Sequence, residues 1–395
     1  MEGREMELTV RVQALATELQ LADGILEREQ ARSDLVHLEV VGDSLQFTSR
    51  GNSLWLQTSC PVEVISGGAI AVPMRRLLAY LHLLPGDAEL RIATTEADMA
   101  QITLVRAKTR VPGLSGEAFD IKLESNSGKK ESGSESLPEP RLELPADLLL
   151  EALNRTIISV ADEQSHYTIE GAQLIVQRGK MGMVSTDGHR LSLYLQEASV
   201  GAVQDGVQCL IGRKAMIELR RILEQCEGSE DEPAKVEFAE DESKIYFRTP
   251  RRFLVSQKLA GRFPDYNRVM PKEFNVTLEL DKEVLAPVLR RVSLSSERRS
   301  HGVRFDIENG EMKMQAQVFG DDTDMLHSEE SVAVDYAGDP IRVGFNVRYI
   351  LDFLQLCTSN TFRLHIGDPR SAALMEIPST DPGTDYRYVL MPIRV

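Results

Sequence analysis

The sequence contains few of the residues and patterns on which metal binding, disulfide formation or membrane insertion depends. Its 395 residues include four cysteines and seven histidines, and no two cysteines form a C-x-x-C pair or lie near a histidine at zinc-ligand spacing. No apolar run approaches the roughly 20 residues that a membrane helix requires, and the charged N-terminus shows no signal peptide. We therefore expect a cytoplasmic protein without membrane contact, metal or other cofactor, whose cysteines are reduced core thiols.

The common catalytic motifs are also missing from the sequence. It has no G-x-x-x-x-G-K-[ST] loop, no H-E-x-x-H and no G-x-S-x-G. The segment Asp187-Gly188-His189-Arg190 contains an acid and a histidine, but the two are only two positions apart and no motif places a nucleophile beside them. The sequence predicts a protein that is not an enzyme.

Basic residues are in the minority, with 45 Lys and Arg against 61 Asp and Glu and a formal net charge of −16. This balance argues against a protein that grips DNA over its whole surface. DNA binding stays possible only if basic side chains are confined to one face.

One pattern occurs three times along the chain. Leu142–Leu149 aligns with Leu278–Leu285 at an offset of 136, and a fainter copy begins at Leu8, 134 residues earlier. Each copy alternates like a strand and then follows the periodicity of an amphipathic helix. A period this long indicates tandem domains of one fold and excludes a solenoid. We predict domains at 1–123, 141–271 and 272–395, with a polar linker at 124–140.

A second element recurs, in which a strand end runs into a helix. It places Arg75, Lys214 and Arg348 at equivalent positions, at offsets of 139 and 134. A third echo pairs Gly51–Leu56 with Gly188–Leu193 at an offset of 137. Two helices per copy among short alternating strands predict an α+β fold of antiparallel sheets with helices on one face. The clearest strand-like runs are Ser44–Thr48, Gln173–Gln177, Lys244–Thr249, Glu311–Gln315 and Thr361–Ile366.

Several longer segments resemble a known family. Thr186–Leu191 and Gly261–Pro271 resemble signature stretches of the bacterial DNA sliding clamp, the beta subunit of DNA polymerase III, as do Gly344–Tyr349 and the C-terminal Tyr388–Val395. This resemblance spans the chain. It implies a DNA-clamp domain in three copies and a homodimeric ring whose helices line the hole and whose sheets lie outside.

The resemblance also implies a function, that of a processivity factor. The ring encircles duplex DNA without sequence preference and tethers the replicative polymerase and other replication or repair proteins through short linear peptides. An ATP-dependent clamp loader opens it. An alternative is a three-domain binding scaffold that has kept the fold but lost ring closure, which would sediment as a monomer.

The resemblance implies three surfaces. It assigns the residues of the first, whereas those of the second follow from the repeat and those of the third from the distribution of charge. The peptide-binding cleft between domains two and three takes Ile169, Thr186, Gly188, His189, Arg190, Leu191, Pro264, Arg268, Val269, Asn346, Tyr349, Val389, Met391, Pro392, Ile393 and Arg394. The DNA-facing set combines the repeat-aligned cations with their neighbours: Arg75, Arg76, Arg213, Lys214, Arg220, Arg221 and Arg348, with Arg155, Arg290 and Arg291 on first helices. The edge for ring closure sets Arg106, Lys108 and Arg110 against acidic residues of domain three, Asp321, Asp322, Asp324, Glu329 and Glu330.

Two alternatives follow from the residues alone. Val389 and Met391 are also explained as core strand residues, and arginines on amphipathic helices as a solvated face. The segment Ile25–Leu35 lacks the Pro-containing apolar turn usual in the family, so a DNA contact by Arg28 or Arg32 is not supported by the resemblance.

Overall fold

Four antiparallel sheets and six helices form the described part of the chain. The computed structural model describes residues 6–26, 34–95, 98–116, 138, 142–161, 170–198, 200, 206–226, 228, 233–319, 325–378 and 383–394. The helices are α1 Val12–Ile25, α2 Met74–Leu81, α3 Ala146–Thr156, α4 Arg213–Leu223, α5 Lys282–Ser293 and α6 Val347–Leu356. Two helices fall in each predicted copy, which confirms the predicted fold class of tandem α+β clamp domains.

Short strands make up most of the remaining described residues. In the first copy they are β1 Glu7–Arg11, β2 Leu35–Val41, β3 Ser44–Arg50, β4 Leu54–Pro61, β5 Glu63–Ser66, β6 Ala69–Pro73, β7 Glu89–Thr95, β8 Met99–Leu104, β9 Ala107–Pro112 and β10 Leu114–Ser115. In the second copy they are β11 Leu142–Pro145, β12 Gly171–Gln177, β13 Lys180–Thr186, β14 Arg190–Glu197, β15 Val207–Gly212, β16 Lys235–Glu240, β17 Lys244–Arg248 and β18 Arg252–Gln257. In the third they are β19 Val276–Asp281, β20 Gly302–Glu308, β21 Glu311–Phe319, β22 Met325–Ala333, β23 Ile341–Asn346, β24 Thr361–Ile366, β25 Ala373–Glu376 and β26 Thr384–Leu390. Of the five strand-like runs picked out in the sequence, four lie wholly on strands, and Lys244–Thr249 extends one residue beyond the end of β17.

The chain divides into two compact units, and the division runs through the second copy. The first unit comprises Met1–Ala146 and Ile217–Lys258, and the second comprises Asp147–Met216 and Leu259–Val395. The three-domain boundaries drawn from the repeat stay a prediction, because a compact unit here contains strands of more than one copy.

In the first unit, a nine-stranded sheet crosses from the first copy into the second. Its order is β10-β6-β2-β3-β4-β18-β17-β16-β11, and a five-stranded sheet has the order β5-β1-β7-β8-β9. The crossing is the antiparallel pairing of β4 with β18, with Leu56 opposite Leu254. Helix α1 packs against α2, β3 and β4, and its apolar face joins Leu15 and Leu19 to a fully buried core around Phe47.

In the second unit, an eight-stranded sheet crosses in the same way from the second copy into the third. Its order is β15-β12-β13-β14-β26-β25-β24-β19, beside a four-stranded sheet β22-β21-β20-β23. The crossing is the antiparallel pairing of β14 with β26, with Leu191 opposite Val389. The two crossings, β4–β18 and β14–β26, are called strand junctions below.

The strand junctions correct one detail of the repeat. The hairpin registers pair Arg50 with Trp55 and Thr186 with Leu191, which makes Trp55 and Leu191 equivalent at an offset of 136. The sequence echo at 137 is therefore displaced by one residue. A one-residue shift matters because it exchanges the two faces of a strand. Trp55 and Leu191 both lie in apolar clusters at their junctions, which supports the register with the offset of 136.

Candidate functional site

A tight turn between β13 and β14 forms one wall of the predicted cleft. The carboxylate of Asp187 accepts hydrogen bonds from the backbone N–H groups of His189 and Arg190, both at 2.9 Å. Thr186 Oγ1 donates to the carbonyl of Arg190 at 2.7 Å and accepts from the N–H of Gly188 at 3.1 Å. Gly188 has φ +86°, a left-handed conformation that glycine adopts without steric cost. The motif that resembled an acid–base pair is thus a turn whose carboxylate holds the backbone.

Arg190 connects this turn to helix α6. Its Nε donates to Asp187 at 2.9 Å and its Nη1 to Asp352 at 2.6 Å. The guanidinium lies 4.2 Å from the ring centroid of Tyr349, close enough for a cation–π contact. Burial alone would lower the pKa of Arg190, but the phenol of Tyr388 and the two carboxylates raise it above its ordinary value. Arg190 is therefore a fixed, permanently charged part of the wall.

The floor between these elements is apolar. Leu191 and Val389 face each other across the junction, and Ile175, Val184, Leu193 and Leu374 extend the same buried cluster. Val389 is 1% exposed, so the prediction that it is a core strand residue fits as well as its assignment to a cleft floor. Met391 differs, because it follows the strand and is 40% exposed.

The segment after Leu259 crosses over this floor. Phe263, Tyr266 and Met270 pack against the apolar cluster with part of their surface exposed. A short 3-10 helix, Tyr266–Arg268, begins at Asp265, whose carboxylate accepts from the N–H of Asn267. Among the predicted cleft residues, Pro264, Arg268 and Val269 are exposed here, Val269 by 43%. They form an accessible rim above a buried floor.

The C-terminal tail and the beginning of α6 complete the arrangement. The N–H of Met391 donates to the carbonyl of His189 at 2.8 Å, and that of Ile393 to Gly344 at 2.9 Å. These bonds hold Pro392 between them and leave Arg394 exposed. Asn346 caps α6 by accepting from the N–H of Arg348 at 3.0 Å.

The structure thus brings together residues that are distant in sequence. Every described member of the predicted cleft lies in the second unit, whereas Ile169 lies outside the described residues. Sequence reasoning missed Asp352 and Tyr388, which bind Arg190 from 162 and 198 residues away. No local pattern reports such a contact.

The three repeat-aligned cations occupy the same place in their helices. Arg75, Lys214 and Arg348 are each the second residue of a helix, in α2, α4 and α6. Arg75 is bound to Asp23 at 3.1 Å, whereas Arg348 is exposed. The neighbouring cations differ in the same way. Arg76 is exposed, Arg213 donates to the carbonyl of Val160, Arg220 lies 3.5 Å from Glu224 and Arg221 binds Glu218.

Arg155 departs from the expectation that first-helix arginines lie on a basic face. Its side chain is 10% exposed, and its guanidinium binds Glu151 and the carbonyl of Leu356. A group buried in this way cannot reach a phosphate, so Arg155 is removed from the candidate DNA-facing residues.

The described residues predicted for ring closure lie on, or directly beside, two edge strands. Arg106 is in the turn before β9, and Lys108 and Arg110 are exposed on β9. Glu329 and Glu330 lie on β22, where they bind Lys313 and Arg291. Asp321, Asp322 and Asp324 lie outside the described residues, as do Arg28, Arg32 and all of the linker except Pro138.

Two further searches cover the described residues only. No group of three or more His, Cys, Asp and Glu side chains is placed to hold a metal ion. No helix in this part of the chain is both long enough and apolar enough to cross a membrane.

Comparison with known proteins decides the family. Residues 143–265 match the model of the DNA polymerase III beta subunit central domain, and residues 267–394 match that of its C-terminal domain. The beta sliding clamp of Pseudomonas putida is 30% identical over 393 residues, covering 99% of this chain and 100% of the relative. The chain belongs to the bacterial beta sliding clamp family.

Solved sliding clamps share the whole fold with this chain. A clamp from Pseudomonas aeruginosa has a TM-score of 0.84 at 27% identity, and one from Bartonella birtlesii has 0.85 at 27%. Each comparison covers 99% of this chain and 100% of the other. The chain is accordingly a non-catalytic processivity factor of DNA replication that works with DNA and DNA polymerase.

Proposed function

We propose that two copies of this chain close head to tail into a ring around duplex DNA, and that the cleft of the second unit captures peptide segments of polymerase and other clamp-binding proteins. The ring holds DNA by topology, so contacts with the phosphates can stay weak and the clamp can slide. The three copies of the fold extend over 1–123, 141–271 and 272–395 in this proposal. The clamp acts in the cytoplasm and is opened by an ATP-dependent loader.

The main support for the ring is that both strand junctions pair equivalent strands of successive copies. In the first two copies, the strand at the end of one sheet, β4 or β14, pairs with the last strand of a sheet in the next copy, β18 or β26. Counting through the repeat, β22 corresponds to β4 and β14, and β9 corresponds to β18 and β26. Within the described ranges each of these has one strand neighbour, β21 for β22 and β8 for β9. A second copy supplies the missing neighbour of both, which closes a ring by a heterologous contact.

Exposed apolar side chains support the same contact. Leu294 follows α5 and is 78% exposed, and Leu326 on β22 is 54% exposed. Such side chains beside an open strand edge favour an interface. The two edges also carry opposite charge. The cations at β9 are Arg106, Lys108 and Arg110, and the carboxylates on β22 are Glu329 and Glu330. Asp322 and Asp324, which precede β22 in the sequence, are acidic too.

Retention on DNA tests the ring directly. After loading, the clamp should stay on circular DNA and leave linear DNA through its ends. Equal retention on both forms would mean ordinary affinity, and a wild-type monomer at micromolar concentration in sedimentation would favour the scaffold alternative. Charge reversal tests the edges: Lys108→Glu should weaken dimerisation in low salt, and adding Glu329→Lys should restore part of it. Arg370→Glu, on a loop and with a side chain 94% exposed, is the matched control.

The basic helix faces form the proposed inner wall. Arg75, Arg76, Arg213, Lys214, Arg220, Arg221 and Arg348 are its members, and Arg76 and Arg348 are the clearest because both are exposed. Replacing both by glutamine should lower the salt dependence of DNA retention by about 0.9 in log–log slope for each lost phosphate contact. An unchanged slope would remove them from the wall.

The cleft is tested at its exposed rim, because substitutions on the buried floor would also disturb folding. Val269→Ser with Met391→Ser should weaken binding of a fluorescent peptide that carries the clamp-binding segment of the host polymerase. Apolar burial of two side chains supports a loss of about tenfold or more. Val284→Ser, at a position 54% exposed on α5, is the control. Equal peptide binding by the wild-type protein, the Val269→Ser/Met391→Ser variant and the Val284→Ser control would contradict the assignment of Val269 and Met391 to the cleft.

A further inference from the structure

Each strand junction contains a buried arginine that binds one carboxylate and one carbonyl near the end of a helix. At the β4–β18 junction, Arg252 binds the carboxylate of Glu18 through Nε at 3.2 Å and Nη2 at 2.8 Å. Its Nη1 donates to the carbonyl of Ile222 at 3.3 Å. The Arg252 side chain is 8% exposed. One guanidinium thus serves a carboxylate of one copy and a carbonyl of the next.

Arg155 has the corresponding contacts at the β14–β26 junction. Its Nε binds Glu151 at 2.6 Å and its Nη1 donates to the carbonyl of Leu356 at 2.5 Å. The guanidinium lies 5.0 Å from the ring centroid of Tyr386, which itself is on β26. Here too the carboxylate and the carbonyl belong to successive copies.

The two carbonyls are at equivalent positions. Ile222 is the tenth residue of α4 and Leu356 the tenth of α6. Carbonyl groups at the end of a helix lack partners within the helix and carry the negative end of its dipole. An arginine at this point gives the carbonyl a charged donor and places a positive charge where the helix favours it.

A third arginine is positioned for the same contact but lacks the junction. Arg291 is the tenth residue of α5, as Arg155 is of α3. Its Nε and Nη2 bind Glu330 at 2.8 and 2.6 Å, the same two atoms by which Arg252 holds Glu18. Its side chain is 57% exposed. The bidentate pair fixes the plane of the guanidinium and directs Nη1 away from Glu330.

The matching carbonyl lies in the first copy of the fold. Counting ten residues from Met74, the start of α2, gives Leu83, which follows the helix and is 83% exposed. At both internal junctions the residue in this position is less exposed: Ile222 is 2% exposed and Leu356 is half-buried.

We propose that Arg291 is a positioning residue of ring closure, and that its Nη1 donates to the carbonyl of Leu83 of a second copy while Nε and Nη2 keep Glu330. This inference rests on the proposed head-to-tail ring. It gives the intermolecular junction a contact between an arginine and a carbonyl near a helix end, as at both internal junctions, with Arg291 at the helical position of Arg155. It also explains why Arg291 and Leu83 are both exposed in the single chain.

The test measures the dissociation constant of the dimer by sedimentation and by exchange of labelled subunits. Arg291→Met keeps much of the apolar stem and removes the charge. One hydrogen bond from a charged donor accounts for about ten- to a hundredfold in binding, and the closed ring contains this contact twice, so the dissociation constant of the dimer should rise about a hundred- to ten-thousandfold. Arg291→Lys should recover only part of this, because an ammonium cannot hold a carboxylate and a carbonyl in one plane. Arg290→Met, one residue away on the same helix, is the matched control.

The outcomes separate the two proposals. If Leu294→Asp breaks the dimer while Arg291→Met leaves its dissociation constant unchanged, the ring stands and the role of Arg291 is wrong. If Arg290→Met weakens the dimer as much as Arg291→Met, the effect is one of general charge and the specific contact is also wrong. If the wild-type chain is a monomer, the ring itself is wrong. A crystal structure of the dimer with Arg291 Nη1 within hydrogen-bond distance of the Leu83 carbonyl would support the assignment directly.

Discussion

Replacing Arg252 by methionine should destabilise the first unit more than any substitution of a surface ion pair. Glu18 is 5% exposed and Arg252 is 9% exposed, and the two are joined by two hydrogen bonds. Thr58, itself 1% exposed, donates a third bond to the same carboxylate. Without Arg252, the Glu18 carboxylate would be left buried with a hydroxyl as its strongest partner.

The magnitude follows from the desolvation of that carboxylate. Removing one member of a buried pair typically costs about 3–5 kcal/mol, because the other charge stays buried without compensation. Removing both members restores much of this loss, since no charge is then buried. We therefore expect Glu18→Leu with Arg252→Met to be more stable than Arg252→Met alone, with a coupling of at least about 1 kcal/mol between the two sites.

The protein carries its own probe for this measurement. Trp55 is the single tryptophan of the sequence, and it is 4% exposed and packs edge-on against Phe253 at 5.6 Å beside the junction. Its fluorescence during urea unfolding should report the first unit. Arg251→Met, at the exposed neighbouring position, should leave the midpoint unchanged. If the losses from Glu18→Leu and Arg252→Met simply added in the double variant, the pair would not be coupled and the reasoning would be refuted.

Three further substitutions have predictable effects. Burial lowers the pKa of His37 from 6.5 to about 4, although a backbone hydrogen bond to Gly116 raises it. Between these two values the unfolded chain binds more protons than the folded chain, so the first unit should lose up to about 2 kcal/mol of stability from pH 7 to pH 5. His37→Gln should reduce this pH dependence, measured as urea midpoints by tryptophan fluorescence. Val105, 92% exposed in the β8–β9 turn, has φ +49°, so Val105→Asn should stabilise the first unit by about 1 kcal/mol in the same assay, and a loss of stability would show that the turn is not strained. A Cβ on Gly182 would lie 1.8 Å from the carbonyl oxygen of Tyr194, so Gly182→Ala should disrupt the β13–β14 pairing and weaken peptide binding. A Cβ on Gly67 meets nothing within 4 Å, so Gly67→Ala should leave both the pairing and peptide binding unchanged. Limited proteolysis of the two variants compares the effects on the sheet.

Periodicity predicted the parts of the fold that depend on local sequence. The repeat located two helices in each copy and placed Arg75, Lys214 and Arg348 at the same helical position, because helix starts are fixed by nearby residues. The alternation in runs such as Thr361–Ile366 located strands for the same reason: one face of each strand is buried and the other is not.

The parts that sequence could not predict depend on pairings between distant segments. Nothing near Leu56 indicates that β4 pairs with β18, about 200 residues later. Likewise, the sequence around Arg155 indicates only a cation on an amphipathic helix, and nothing in it indicates the contact with the end of α6. The echo at 137 failed by one residue because a similar order of glycine and leucine residues carries no information on which face of the strand each side chain occupies.

Because of the two strand junctions, one repeat of this fold is not an independent folding unit. Excising residues 1–123 would divide a continuous sheet between β4 and β18 and expose Leu56 and its neighbours on an unpaired strand edge. A protease that nicks the chain between β10 and β11 would not release the first copy either, since hydrogen bonds to β18 and the Glu18–Arg252 pair still hold it. The boundaries of fragments for expression should therefore preserve these strand pairings and not follow the period of the sequence. A chain cleaved at this point should still elute as a single species until a denaturant disrupts the sheet.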